Sequence, residues 1–132
     1  MQYQSSLDRK GLIDLAINKY FANVDKKDLE AVLDCFHDNA MMTTQTAFTT
    51  HAGKDNIKRM FKDFMSSFDV FVHRDFEITV DQNNGRIVAS FVAELTDAEG
   101  NKTYLENTNF WRIRDDKFQE IYIYMSGANV LV

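Results

Sequence analysis

Apolar residues in the first half of the chain recur at the spacing of an α-helix. One apolar stripe runs from residue 12 to residue 24, and a second stripe follows Gly53. Between them, Asp28 is a suitable N-cap for a short helix over 29–36. The pattern therefore predicts three helices, with a short strand at 41–45 between the second and the third. The stripes consist of Leu12, Ile13, Ala16, Ile17, Tyr20, Phe21 and Val24 in the first helix, and of Ile57, Met60, Phe61, Phe64 and Met65 in the third.

The second half of the chain has the pattern of β-strands joined by turns. Runs rich in β-branched and aromatic residues are separated by short polar segments, among which Asn84-Gly85 is a turn signal. Helices followed by turn-linked strands predict one α+β domain over residues 1–132, with an antiparallel sheet packed on the helices. The runs cover 70–80, 86–96, 104–113 and 118–125.

The strand at 104–113 places two asparagines on its more apolar face. Side chains alternate along a strand, so Asn107 and Asn109 share a face with Leu105, Trp111 and Ile113. A buried amide without a hydrogen-bond partner costs about 1–3 kcal/mol. The sequence therefore predicts that something inside the protein satisfies both amides, and an apolar concavity with a few polar groups is typical of a small-molecule site.

Composition excludes several classes of partner. The net charge is −5 and the 15 Lys and Arg residues are scattered among acids, so neither a nucleic acid nor an anionic membrane is expected as a partner. No apolar run is long enough for a membrane span or a signal core. The single cysteine, Cys35, suits a reducing cytoplasm, and we expect it to be buried on the second helix.

The histidines and glycines do not predict a metal or cofactor site. His37, His51 and His73 lack the spacing of metal ligands, and no glycine-rich phosphate loop is present. We expect His37 and His51 in loops and His73 at the start of a strand near the helices. No metal and no cofactor are predicted.

Four segments of the sequence carry a resemblance to a known family. The strings INKYFANVDKKDLEAVLDCFHDNA, HAGKDNIKRMF, NGRIVASF and NTNFWRIRDDKFQEIYIYMSGAN span nearly the whole chain. They resemble the nuclear transport factor 2-like superfamily, and most closely its SnoaL-like polyketide cyclases and ketosteroid isomerases. The resemblance implies three N-terminal helices packed on a strongly curved antiparallel sheet, a cone-shaped α+β barrel with an internal pocket. That fold hosts isomerases, cyclases, dehydratases, epoxide hydrolases and non-catalytic subunits.

The resemblance also implies roles for individual residues. Tyr20 falls where ketosteroid isomerases place the tyrosine that donates a hydrogen bond to the developing enolate, and Asn109 falls at their second donor. Asn107 resembles an asparagine of a SnoaL-like strand signature. The position of the catalytic aspartate base is Thr44, which cannot act as a base at neutral pH, so an ordinary ketosteroid isomerase is not expected.

Two other residues are candidates for the missing base. Glu94 shares a strand face with Ser90 and Val92, which we expect to line the pocket, and an apolar site would raise its pKa. The alternative is that Glu94 is a carboxylate at the solvated end of its strand. His73 is the second candidate. The remaining predicted pocket residues are Thr44, Phe61, Val92, Asn107, Trp111, Ile121 and Met125.

Two functions follow from these residues. The first is a lyase, cyclase or isomerase that acts on a small, largely apolar carbonyl compound. The second is a non-catalytic module that binds an apolar ligand or a partner chain in the same cavity.

The outer face of the sheet predicts a homodimer. An exposed aromatic patch would be large for a monomer, and the superfamily resemblance implies dimerisation through this face. The alternative is that residues 1–10 cover the patch. The predicted outward residues are Tyr104, Thr108, Phe110, Ala89, Phe91, Tyr122 and Tyr124, with Arg112 and Glu120 at the rim.

Overall fold

Three helices pack on one face of a six-stranded sheet in this computed structural model, which describes residues 2–132. The first helix covers residues 9–25, the second is Leu29–Leu33 and the third is Lys54–Ser67. None of the helices in residues 2–132 is both long and apolar enough to cross a bilayer. The strands are β1 Phe36–Thr44, β2 Thr49–Ala52, β3 Val70–Asp81, β4 Arg86–Thr96, β5 Lys102–Arg114 and β6 Lys117–Tyr124.

The first helix changes its winding along its length. It is α-helical over Arg9–Ile13, π-helical over Asp14–Phe21 and α-helical again over Ala22–Asp25. A π-helical turn is wider than an α-helical turn, so the buried positions depart from the predicted stripe. Leu15 is buried, whereas Ile13 and Ile17, which the α-helical spacing placed in the stripe, are only half-buried.

The second helix is shorter than predicted and the strand after it is longer. The Asp28 side chain accepts a hydrogen bond from the Ala31 N–H at 3.1 Å, which confirms the predicted cap. The helix ends at Leu33, so Cys35 lies between helix and strand. His37 lies in β1 and His51 in β2, a strand that the sequence analysis missed.

The sheet has the order β2-β1-β6-β5-β4-β3 and is curled without closing. All neighbouring strands are antiparallel except β1 and β6, which are parallel. The expected antiparallel sheet is therefore a mixed one. The core lies between the concave face and the helices.

A bulge in β3 determines which of its side chains point inward. The pairing with β4 shifts between Arg74 and Glu77, and Asp75 within the bulge has a φ of 58°. Before the bulge, His73 pairs with Ala93, a buried residue of the concave face. The bulge shifts the alternation of side chains between the two faces by one residue. His73 lies before the bulge and therefore faces inward.

The prediction of which β4 side chains face the helices is wrong. Directly paired residues of antiparallel strands point to the same side of a sheet. Ala89 pairs with Asn109 and Phe91 with Asn107, and all four residues are buried on the concave face. The alternate positions of β4, which include Ser90, Val92 and Glu94, therefore lie on the convex face.

Gly85 in the β3–β4 turn packs closely against Ser5 and the backbone of Ile113, and we expect its replacement by alanine to destabilise the fold. Its φ is 61°, and a Cβ atom there would lie 2.7 Å from Ser5 Cβ and 2.8 Å from the Ile113 carbonyl oxygen. Gly100 has a φ of 83° but open space around it. Gly100→Ala should cost about 1–2 kcal/mol from backbone strain alone, and Gly85→Ala should cost more. Urea unfolding measures both, and equal losses would contradict this packing.

Candidate functional site

A small cavity lies between the helices and the concave face of the sheet. Its volume is about 30 Å³, which is room for about two water molecules. Aromatic and aliphatic side chains make up most of the wall, with four polar side chains among them. The lining residues are Tyr20, Phe21, Val24, Phe61, Phe64, His73, Phe91, Ala93, Leu95, Leu105, Asn107, Asn109, Ile123, Met125, Val130 and Leu131.

Tyr20 reaches the cavity from the π-helical part of the first helix. Its ring packs among the rings of Phe36, Phe61, Trp111 and Phe118, with centroid separations of 5.3 to 6.4 Å. Burial raises the pKa of the Tyr20 hydroxyl well above its ordinary value. The hydroxyl is protonated at neutral pH and can donate a hydrogen bond.

Asn107 and Asn109 reach the cavity from β5, as the alternation predicts. Their exposed fractions are 7% and 3%, and the Oδ1 atom of each is buried without a hydrogen-bond partner among residues 2–132. The Nε1 atom of Trp111, two residues further along the strand, is unpartnered in the same way. The described chain therefore leaves the two amide oxygens without a hydrogen-bond donor in a mostly apolar wall.

His73 is the fourth polar group of the wall, and a carboxylate holds it in place. Its Nδ1 atom lies 2.5 Å from Asp25 Oδ1, and its backbone N–H donates to Asp25 Oδ2 at 3.0 Å. The imidazole ring also stacks on Phe21, with centroids 4.6 Å apart. An ionised carboxylate only accepts hydrogen bonds, so Nδ1 carries the proton and Nε2 is left as the basic nitrogen.

Asp25 occupies a position that is unfavourable for an acid. It is the last residue of the first helix, where the negative end of the helix dipole disfavours a negative charge by about 0.3–1 kcal/mol. Its two hydrogen bonds to His73 offset this cost. The sequence analysis did not select Asp25. An acidic residue in the final turn of an apolar-striped helix is the signal that could have found it.

Glu94 is not part of the site, contrary to the prediction. It lies on the convex face, where its carboxylate accepts a hydrogen bond from Lys102 Nζ at 2.7 Å and lies 3.5 Å from Arg74 Nε. The hydrogen bond from Lys102 is the main reason that its pKa is lower than usual. A carboxylate with this environment cannot exchange protons with the cavity, and the expected rise in its pKa is wrong.

The other predicted residues divide into three groups. Phe61, Asn107 and Met125 line the cavity. Thr44, Trp111 and Ile121 are buried but lie outside its wall, and Val92 is on the convex face beside Glu94. The sequence analysis missed most of the aromatic lining, above all Phe21, Phe64 and Phe91, and the C-terminal residues Val130 and Leu131.

Cys35 has no role in this site. Burial raises the pKa of its thiol to about 12, so the thiolate that would act as a nucleophile is scarce at neutral pH. Within residues 2–132, no group of three or more His, Cys, Asp or Glu side chains could hold a metal ion.

The sequence matches a known protein family over most of its length. Residues 17–121 match the SnoaL-like domain. The chain belongs to the SnoaL-like domain family. The match spans most of the sequence and confirms the resemblance to the nuclear transport factor 2-like superfamily. No curated protein sequence matches the chain.

Solved structures share the fold at low sequence identity. A candidate polyketide cyclase from Xanthomonas campestris pv. campestris has a TM-score of 0.78 and 18% identity, covering 88% of this chain and 90% of its own. AusH from Aspergillus nidulans has a TM-score of 0.78 and 17% identity, covering 92% and 87%. An LEH-like epoxide hydrolase from M. tuberculosis has a TM-score of 0.76 and 10% identity, covering 89% and 84%. These similarities establish the SnoaL-like fold.

Replacing Asn109 should leave the protein as stable as before or more stable. A buried amide oxygen without a partner costs about 1–3 kcal/mol, so Asn109→Leu should raise the free energy of unfolding by about 1 kcal/mol. Gln119 is the matched control, because its buried amide is bonded to Asn39 and accepts from Arg114 Nε at 3.0 Å. Gln119→Leu should therefore destabilise. Equal losses for both variants in urea unfolding would show that the Asn109 amide has structural partners.

Proposed function

We propose that this SnoaL-like protein binds a small, largely apolar carbonyl compound and moves a proton at the carbon next to the carbonyl. The observation that carries the proposal is the Asp25–His73 pair, with a basic nitrogen in a cavity wall that also holds two hydrogen-bond donors. An isomerase, cyclase or lyase reaction follows from the same first step. The names of structural neighbours, which include a candidate polyketide cyclase and an epoxide hydrolase, are consistent with ligand chemistry in this fold.

His73 is the proposed base. Neutral Nε2 takes the proton from the substrate, and the imidazole becomes an imidazolium ion. The Asp25 carboxylate, 2.5 Å from Nδ1, stabilises that positive charge and holds the ring in one tautomer. A positioned base of this kind contributes about 10²–10⁴-fold to a rate. The role expected for Glu94 or His73 is therefore assigned to His73 alone.

Tyr20 and Asn109 are the proposed donors to the developing enolate oxygen. The Tyr20 hydroxyl keeps its proton because burial raises its pKa, and an asparagine amide N–H donates without any change of charge. A donor aimed at an oxyanion in a site without water is worth about 3–4 kcal/mol. Asn107 is proposed to bind another polar group of the ligand, and Phe61 and Met125 its apolar surface.

A non-catalytic binding module of the same fold is the alternative. The cavity volume of about 30 Å³ does not distinguish the two functions, because a bound ligand and a substrate must both enter the same space. The two functions differ in one measurable property, which is proton exchange at the ligand.

We also propose that two copies associate through the convex face of the sheet. Phe110 and Tyr124 are 42% and 44% exposed, and their rings are 5.8 Å apart. Arg112 bridges to Glu120 at 3.3 Å at the edge of this patch, as in a polar rim. Gln4 and Ser6 bond to the backbone of Asp115, and Tyr3 reaches Glu120 at the rim, while Phe110 and Tyr124 remain exposed. Met1 lies outside the described residues. Ala89 and Phe91 do not belong to it, because they face the core.

A cytoplasmic location is retained as a proposal. It is supported by Cys35, which is a free buried thiol, since thiols persist in a reducing compartment.

Exchange of the α-protons of 2-tetralone for deuterium tests the catalytic proposal. In D₂O, the wild type should accelerate deuterium uptake at the α-carbon, as followed by NMR. His73→Gln should reduce that acceleration by at least about 100-fold because the base is lost, and Asp25→Asn should reduce it less. Glu94→Gln is the matched control and should match the wild type, since Glu94 lies on the other face. Binding of 2-tetralone without exchange by the wild type would favour the non-catalytic module.

Light scattering tests the dimer. The wild type should have the mass of two chains at tens of micromolar, and Phe110→Glu should have the mass of one, because a buried carboxylate would disrupt the interface. Val70→Glu is the control, since Val70 is also exposed but lies on the edge strand β3. A wild-type mass of one chain would refute the dimer.

A further inference from the structure

We infer that residues 125–132, the C-terminal strap, form a movable gate over the cavity and that His51 is its latch. The nature of the ligand that would pass this gate rests on the proposed function. The opening of the strap is independent of that proposal, because it can be measured without a ligand.

The size of the cavity requires that some part of its wall moves. Sites that bind small molecules have volumes of about 300–1,000 Å³, whereas this cavity measures about 30 Å³. No aromatic or alicyclic ketone fits that space. If the four polar side chains of the wall contact a ligand, the wall must first open.

The strap is the part of the wall with the fewest backbone constraints. Thirteen of the lining residues lie in helices or in strands β3 to β6, where repeated backbone hydrogen bonds hold them. The other three, Met125, Val130 and Leu131, follow the end of β6 at Tyr124. The strap has neither helical nor strand structure, so it can move without breaking a ladder of hydrogen bonds.

His51 holds the far end of the strap. Its Nε2 atom lies 2.9 Å from the Leu131 carbonyl oxygen, and its Nδ1 atom lies 3.3 Å from Arg59 Nη2. A guanidinium group only donates, so Nδ1 accepts and the ring proton is on Nε2, from which it is donated to Leu131. His51 is 6% exposed, and it therefore joins the third helix to the strap through one fixed tautomer.

Two side-chain hydroxyls hold the near end, and they provide a direct measurement. The Met125 N–H donates to Thr46 Oγ1 at 3.2 Å, and the Glu106 N–H donates to Ser126 Oγ at 2.8 Å. Both amide protons lose their acceptors when the strap leaves. Their hydrogen exchange therefore reports strap opening separately from unfolding of the sheet.

The test compares two replacements of the latch. His51→Leu keeps a similar volume but removes both hydrogen bonds, and exchange of the Met125 and Glu106 amides should become at least tenfold faster. His51→Gln can still donate to Leu131 and accept from Arg59, so exchange should remain near the wild-type rate. The backbone amide of Asn109, in the centre of β5, should exchange at the wild-type rate in both variants. Unchanged exchange at Met125 and Glu106 in His51→Leu, or equal acceleration at all three amides, would overturn the gate.

A second variant covers the case in which His51→Leu does not fold. Leu131→Ala leaves His51 intact and removes a buried side chain of the strap that lines the cavity, so the same two amides should exchange faster. Entry of 2-tetralone is then measured by Trp111 fluorescence in each variant that opens. Faster exchange with faster binding supports both proposals. Faster exchange without any binding keeps the gate and refutes the proposed ligand site.

Discussion

The two hydrogen bonds between Asp25 and His73 join the end of the first helix to the third strand across 48 residues of sequence. The rest of the site depends on this connection. The helix carries Tyr20 five residues earlier, and the strand pairs His73 with Ala93 on the concave face. These hydrogen bonds therefore hold the end of the helix against the strand, beside the space between Tyr20 and the asparagines of β5. The negative charge of Asp25 is unfavourable at the C-terminal end of a helix, and the hydrogen bonds to His73 offset that cost.

The periodicity of the sequence was sufficient to predict most of the helices and strands. The third helix, the position of strand β4 and the inward face of β5 are as predicted, because the period of each element is regular over ten or more residues. The faces of β4 were misassigned because alternation gives two faces but not which one is inward. That choice depends on the register with β5, which pairs Ala89 with Asn109. The π-helical winding and the short strand β2 have no clear periodic signal.

Part of the candidate site could be predicted from the pattern of a single strand. Asn107 and Asn109 stood out because polar residues interrupted an apolar face, which is visible in one strand alone. Asp25 and the strap could not be selected, since their roles depend on contacts with His73 and His51 that are distant in sequence. The two buried amide oxygens without partners also indicate that this interior is not arranged for maximum stability. Under the proposed function, that loss of stability is accepted in exchange for ligand binding.

The parallel pairing of β1 with β6 has a consequence for how the chain folds. Phe36 lies beside Phe118, and the Phe118 N–H donates to the Cys35 carbonyl oxygen at 2.8 Å, so strands at opposite ends of the sequence are neighbours. Closing a loop of that length is entropically costly until the intervening strands have assembled, and such non-local contacts slow folding. The meander β3 to β6, which is linked by short turns, can form first. We therefore expect docking of β1 against β6 to complete the sheet as a late step, with the interior open to solvent until then.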